Sequence, residues 1–271
     1  MISIFTKSII VVGSKVQDTL KYIGGLTLLL YEFFIWINKS LIQRDVRFGI
    51  KALYAQISRI GIRSIGIVTL VCSAIGFILA IQMQPPLEQF GQTDKIANIV
   101  GIAVFRELGP LIAAIVLTGF AGASIAAELG TMVVGEEIEA LKSQALNPVR
   151  FLVVPRIIAT VISLFFLTIL GDVVAVTSSG IVAIFWLGVP YLQYIDNSLT
   201  QITQADFLTG LIKGICFGIL LSTIACYNGL KVKGGASGVG RATTNTVVET
   251  IVLVVLSDLL LTTFFFAIGW T

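Results

Sequence analysis

Long apolar stretches alternate with short polar ones along this chain, and that alternation sets the expected fold. Runs of roughly twenty hydrophobic residues recur, each long enough to cross a hydrocarbon core about 30 Å thick. They lack the two-residue alternation of a membrane barrel, and a segment inside lipid must satisfy its own backbone, so they are predicted to be helices. Five spans are expected, near residues 64–82, 98–127, 153–187, 207–228 and 246–270. Gln84-Pro85-Pro86 should close the first, and Pro110 should kink the second. The third is longer than one bilayer needs at about 1.5 Å per residue, so Gly171-Asp172 or Ser178-Ser179-Gly180 should break or bend it.

Residues 1–44 form a separate region. Their apolar part, residues 23–37, is interrupted by Glu32 and is only about 15 residues long, which is short for a crossing. Lys7, Lys15, Lys21 and Asp18 give the preceding stretch a polar side, and Tyr31 and Trp36 suit the headgroup level. An interfacial or re-entrant helix is expected there, ahead of a membrane domain at residues 45–271. Basic residues then orient the spans. Lys39, Arg44, Arg47, Lys51, Arg59 and Arg63 precede the first span, and Lys142, Arg150 and Arg156 follow the second. Lys231, Lys233 and Arg241 precede the fifth. All three groups belong on the cytoplasmic side. The loop after the first span, with Lys95 against Glu88 and Asp94, and the loop 188–206, with no Lys or Arg, belong outside.

Composition agrees with this picture. Of 271 residues, 56% are hydrophobic and 12% charged, about half the charge of a soluble domain, and the mean hydropathy is +0.98. The net charge of +3 sits beside membrane segments and does not point to nucleic acid. There is no histidine. Cys72, Cys216 and Cys226 lie far apart in apolar runs, without metal or disulfide spacing. No metal site or cofactor is expected, no cleaved signal peptide is read, and no P-loop pattern occurs.

Between the second and third spans lies a charged island, residues 128–156. Glu136, Glu137 and Glu139 fall where acids favour a helix start. Ile138, Leu141 and Ala145 share a helical face, and Asn147-Pro148 should stop the helix. A short amphipathic helix held between spans suits either docking to a soluble partner or lying on headgroups. Arg106 and Glu107, in Arg106-Glu-Leu-Gly-Pro110, carry two adjacent charges into the second span. Each costs roughly 2.5–3.5 kcal/mol at the centre of a bilayer. Neighbouring residues point about 100° apart, so each needs a partner elsewhere. Asp172 and Asp258 are candidates for Arg106, and register-fixing or cavity lining are the possible roles. Small residues form stripes at Gly119/Ala123/Ala127, Gly122/Ala126/Gly130 and Gly210/Gly214/Gly218, which permit close helix packing. The glycine-rich stretch 234–241 follows no strand and is expected to be a flexible cytoplasmic connector.

Several motifs together resemble one family. Arg106-Glu-Leu-Gly-Pro110, Ala126-Ala-Glu-Leu-Gly-Thr-Met132, Glu137-Ile-Glu-Ala-Leu141, Asn147-Pro148 and Leu152-Val-Val-Pro-Arg156 occur in the order and spacing of the MlaE (YrbE) permeases. Gly238-Val-Gly-Arg-Ala-Thr-Thr244 with Val247-Val248 resembles that family's signature before the last span. The similarity covers about residues 45–270. It implies a homodimeric ABC-transporter permease that moves phospholipid or a related lipid, in a bacterial inner membrane or, less in keeping, a plastid inner envelope. The partners implied are a cytoplasmic ATPase on each half and an MCE-domain protein on the opposite face. Glu136, Glu137, Ile138, Glu139, Leu141 and Leu146 would form the coupling helix, and Arg106, Glu107 and Pro110 would lie near the lipid cavity. One departure stands out: the family usually has arginine after Gly119, and here Phe120 follows it, so the partner of that arginine, with Glu128 a candidate, must be satisfied otherwise. The competing expectation is a secondary transporter using Arg106, Glu107, Asp172 and Asp258 as a relay. The halves show no repeat that would favour it.

Overall fold

The computed structural model describes residues 2–42 and 50–270, with side chains at 13–40, 50–93 and 95–270. Arg44, Arg47 and the boundary between residues 44 and 45 lie outside that description, as do the side chains of Lys7 and Asp94. Among the described residues the chain is helical, without strands. Helix α1 (Ile2–Ile42) and the short α2 (Ile50–Ile60) lead into α3 (Ile65–Gln89). The second span is one bent rod built from α4 (Ile96–Ala103), α5 (Gly109–Leu117) and α6 (Ala123–Val134), joined by π-turns at Val104–Leu108 and Thr118–Gly122. Then come α7 (Glu137–Ser143), a third π-turn at Val149–Val153, α8 (Val154–Phe185), α9 (Tyr191–Gln201), α10 (Gln204–Leu230) and α11 (Gly235–Ile268). This is an all-α, multi-pass membrane architecture.

Helices α8 and α10 form its centre, with α3 packed on α8 and with α6 and α11 packed on α10. Glycines allow these approaches. A Cβ at Gly76 of α3 would run into the backbone carbonyl of Ala175 on α8, and one at Gly218 of α10 would lie 3.0 Å from the Cα of Val161. Helix α11 is different. Thr246, Thr250 and Val254 are buried against the bundle, while Val252, Leu256, Leu260 and Phe264 stand exposed. An exposed apolar face of that length belongs in lipid or against another protein.

Among the described residues six helical segments are long and apolar enough to cross a membrane, including Gly13–Ser40 near the N-terminus. Contacts of α1 bear on how it lies. Tyr22 donates a 2.7 Å hydrogen bond to Glu249, and its ring meets Tyr227 edge-on, in the last turn of α10. Fourteen residues later, about 21 Å along the helix, Trp36 lies under the guanidinium of Arg150, in the π-turn that opens the third span. Tyr227 and Arg150 belong to the same, basic end of the bundle. The segment between Tyr22 and Trp36 therefore runs along that end of the bundle.

Local chemistry corrects several expectations. Pro85 and Pro86 do not close the first span; they lie inside α3, which continues to Gln89. Having no N–H, they leave the carbonyls of Ile81 and Gln82 without their helical partners, and the last turns of α3 continue with two ladder bonds fewer. Helix α8 is unbroken for 32 residues. Gly171 there lets Cys72 approach, Gly180 lets the Tyr194 ring approach, and the hydroxyl of Ser179 bonds back to the carbonyl of Val176. The loop 188–206 contains α9, anchored by Tyr194, whose hydroxyl donates to the Val176 carbonyl at 2.9 Å. Stretch 234–241 is not a connector. Gly234 and Gly235 turn the chain with φ of +88° and +66°, and α11 begins at once. A side chain at Gly238 would strike the Lys233 carbonyl, so this glycine is needed for a close approach.

Asn147-Pro148 is a start signal rather than a stop. Helix α7 has already ended at Ser143, and Ala145, with φ of +58°, is off the expected Ile138/Leu141 face. Asn147 Oδ1 instead accepts the N–H groups of Val149 at 2.8 Å and Arg150 at 3.3 Å, capping the third span. Glu136 does not join the first turn of α7. It precedes that helix in a left-handed conformation, φ +58°.

Candidate functional site

Arg106 and Glu107 sit on the first π-turn of the second span. A π-turn adds a residue to one helical turn and so changes the direction of the side chains that follow. Here the Gly109 N–H bonds the Val104 carbonyl, and Pro110, in the second position of α5, has no N–H to leave unpaired. The expected kink at Pro110 is thus absorbed by a wide turn just before it.

The two charges find different partners. Arg106 Nε donates to Asp206 Oδ1, forming an ion pair in which Asp206 is 1% exposed. Asp206 also starts α10: its Oδ2 accepts the Thr203 N–H at 2.8 Å, while Thr203 Oγ1 accepts the Asp206 N–H at 3.3 Å. One carboxylate closes a helix end and holds an arginine. Glu107 pairs with Lys213 of α10, which is fully enclosed. Lys213 Nζ lies 2.9 Å from Asp258 Oδ1 and donates to Thr262 Oγ1 at 2.7 Å, both on α11. Thr262 in turn donates to Glu107 at 3.1 Å. One ammonium therefore ties three rods together in the apolar layer, where a lone charge would be costly.

Of the acids considered for Arg106, neither Asp172 nor Asp258 takes it. Asp258 belongs to Lys213. Asp172 is buried on α8 against Gly109, and its Oδ1 has no hydrogen-bond partner among the described residues. Sequence reasoning missed Lys213 and Asp206. A lone lysine inside the apolar run 207–228, and Thr-x-x-Asp just before it, were the available signals.

Two cavities flank this cluster. One of about 90 Å³ is lined by Arg106, Glu107, Lys213, Thr262, Phe265 and Trp270. The other, about 430 Å³ and mostly apolar, is lined by Phe105, Ile202, Thr203, Gln204, Phe207 and Leu208. Polar groups beside an apolar pocket suit an amphiphile: the pocket takes hydrocarbon, and the charges meet its head.

The predicted packing glycines divide. Gly210 meets the Phe105 carbonyl, and Gly214 lies so that a Cβ would be 2.9 Å from Thr168 Oγ1. A Cβ at Gly122 would make ordinary contacts at 3.8 Å, one at Gly119 would meet nothing within 4 Å, and Ala123 is half-buried. In α7 the side chain of Ile138 is buried, Leu141 is half-buried and Glu137 and Glu139 are exposed; Glu136 just before the helix is exposed, and Leu146, beyond its end, is half-buried. Glu128 has two guanidinium partners, Arg59 from α2 and Arg156 from α8, the latter at 3.2 Å. These stand where Phe120 supplies no cation.

A family model described as Permease MlaE matches residues 53–264, most of the chain. The chain belongs to the MlaE permease family. Its relatives include a probable ABC transporter permease protein of Rickettsia prowazekii, 37% identical over 79% of this chain and 82% of that one. The intermembrane phospholipid transport system permease protein MlaE of Haemophilus influenzae is 30% identical over 95% of this chain and 97% of its own length. The chloroplast protein TRIGALACTOSYLDIACYLGLYCEROL 1 of Arabidopsis thaliana is 34% identical over 78% of this chain and 60% of its own length. The family match takes in the π-turn carrying Arg106 and Glu107, the helix α7, and the partners Asp206, Lys213 and Asp258. As an MlaE-family permease the chain is a transport subunit without an ATPase of its own.

Proposed function

We propose that this chain is the membrane-spanning half of an ABC transporter that moves phospholipids or closely related lipids between membranes, driven by a separate cytoplasmic ATPase. The observation that carries this reading is the match of nearly the whole chain to a relative whose name states intermembrane phospholipid transport. The apolar cavity beside the Arg106–Asp206 and Glu107–Lys213 pairs suits such a cargo. Two copies meeting over apolar faces such as that of α11 would enclose a larger path, with an MCE-domain protein receiving or delivering lipid at the outer end. A bacterial inner membrane is the setting that fits the family.

Helix α7 is the proposed contact with the ATPase. It presents exposed acids at its start and is held against the protein by its buried Ile138. Replacing Leu141 with Asp is expected to abolish co-purification with the ATPase while membrane insertion persists. Leu141 is half-buried, so Glu139→Lys, at an exposed position, serves as a second variant and is expected to weaken association without lowering the melting temperature. Normal ATPase recovery with both variants would remove α7 from the interface. The transport reading is tested by reconstituting chain and ATPase in vesicles and following a labelled phospholipid. Movement that needs only an ion gradient, without nucleotide, would overturn it.

A further inference from the structure

A second polar cavity, about 220 Å³, opens at the basic end of the bundle, at the other end of the second span from the Arg106–Lys213 cluster. It lies between the end of α2 and the start of α6 and is lined by Gln56, Arg59, Arg63, Phe120, Ser124 and Glu128. Its charges do not balance. Among the described residues Glu128 is the single carboxylate in its wall, and it is already shared by Arg59 and Arg156. Arg63 lines the same space, is exposed, and makes no hydrogen bond or ion pair among the described residues. The amide of Gln56 likewise has no partner among the described residues. Phe120, 41% exposed, supplies an apolar wall next to these donors.

Guanidinium and amide donors without a partner among the described residues, next to an aromatic wall at the level where a bundle leaves the bilayer, match a phosphate that carries hydrocarbon. Arginine binds phosphate through paired N–H donors, and basic pockets between spanning helices on the cytoplasmic side receive anionic headgroups. We propose that this cavity holds the headgroup of an anionic phospholipid of the adjoining leaflet, with the phosphate on Arg63 and Gln56 and the lipid's first methylenes along Phe120. Such a lipid is retained at the α2–α6 junction and is separate from the cargo, so the assignment does not depend on which lipid is moved.

Native mass spectrometry of the full chain in a neutral detergent reads this directly, using phosphatidylglycerol and phosphatidylcholine of identical acyl chains. The wild type is expected to retain phosphatidylglycerol over phosphatidylcholine by about fivefold, the scale of one basic side chain at a membrane surface. Arg63→Gln should remove that preference and Arg63→Lys should keep most of it, both with unchanged helicity by circular dichroism. Equal retention of the two lipids by the wild type, as when a second copy covers the cavity, would overturn the proposal. An undiminished preference in Arg63→Gln would do the same. Millimolar inorganic phosphate that stabilises the lipid-free chain as well as phosphatidylglycerol does would assign the cavity to a soluble anion instead. Transport assays take no part in these readouts, so a wrong cargo assignment would leave them unaffected.

Discussion

Lys213→Ala is expected to be among the most damaging single substitutions in this chain. The lysine is fully enclosed and is the cation shared by Glu107 and Asp258. Its loss leaves two carboxylates facing each other inside an apolar layer. Removing one partner of a buried pair costs about 3–5 kcal/mol. Glu107 is 36% exposed and can turn toward water, so the lower end, about 3 kcal/mol, is expected after allowance for screening. Thermal unfolding in detergent measures the loss. A triple variant, Lys213→Ala with Glu107→Gln and Asp258→Asn, should recover much of it, because no unpaired charge then remains. If the triple variant melts no higher than the single one, lost packing of the lysine stem, and not its charge, is the cause.

Gly210→Val should act on the same region through sterics. A side chain there meets the Phe105 carbonyl, one residue before Arg106, and backbone cannot step aside as a side-chain tip can. Overpacking typically costs 1–3 kcal/mol; with backbone as the obstacle, about 3 kcal/mol is expected, together with separation of Arg106 from Asp206 four residues earlier on α10. ATP-dependent lipid movement in vesicles should fall with the melting temperature. Gly119→Ala is the matched comparison. Nothing lies within 4 Å of its added carbon, and a change within about 0.5 kcal/mol is expected. Equal losses in the two variants would show that glycine content, and not the approach to Phe105, sets stability.

Hydrophobic run length located the spans because each must match the bilayer, and that constraint leaves its mark on every residue of a span. Boundaries were less legible. Asn147-Pro148 reads equally as an end or a beginning, and only the direction of the Asn147 side chain, toward Val149 and Arg150, decides. Glycines at 234, 235 and 238 look like a linker in sequence, yet two set a turn and the third admits a carbonyl. The π-turns had no signature in the residues that form them; those at Val104–Leu108 and Thr118–Gly122 lie against α10, and the one at Val149–Val153 lies against α1 and α8. For the polar cluster, Arg106 and Glu107 were visible as charges in an apolar run. Their partners were not, because a pairing across 100 residues or more depends on which rods become neighbours. Lys213 carried the same signal, a single charge inside the apolar run 207–228, and was overlooked.

Helix α7 hangs between two non-glycine residues in the left-handed region, Glu136 and Ala145, each at φ +58°. Such a conformation costs about 1–2 kcal/mol for an L-residue, and the surrounding contacts hold it in place. Glycine at either position would relieve the strain but would also let the segment swivel. A mounting that tolerates strain and refuses rotation passes a push along its length instead of dissipating it at a loose joint. In the proposed docking arrangement, a push on α7 is expected to reach α6, against which it packs, as a shift of the whole rod.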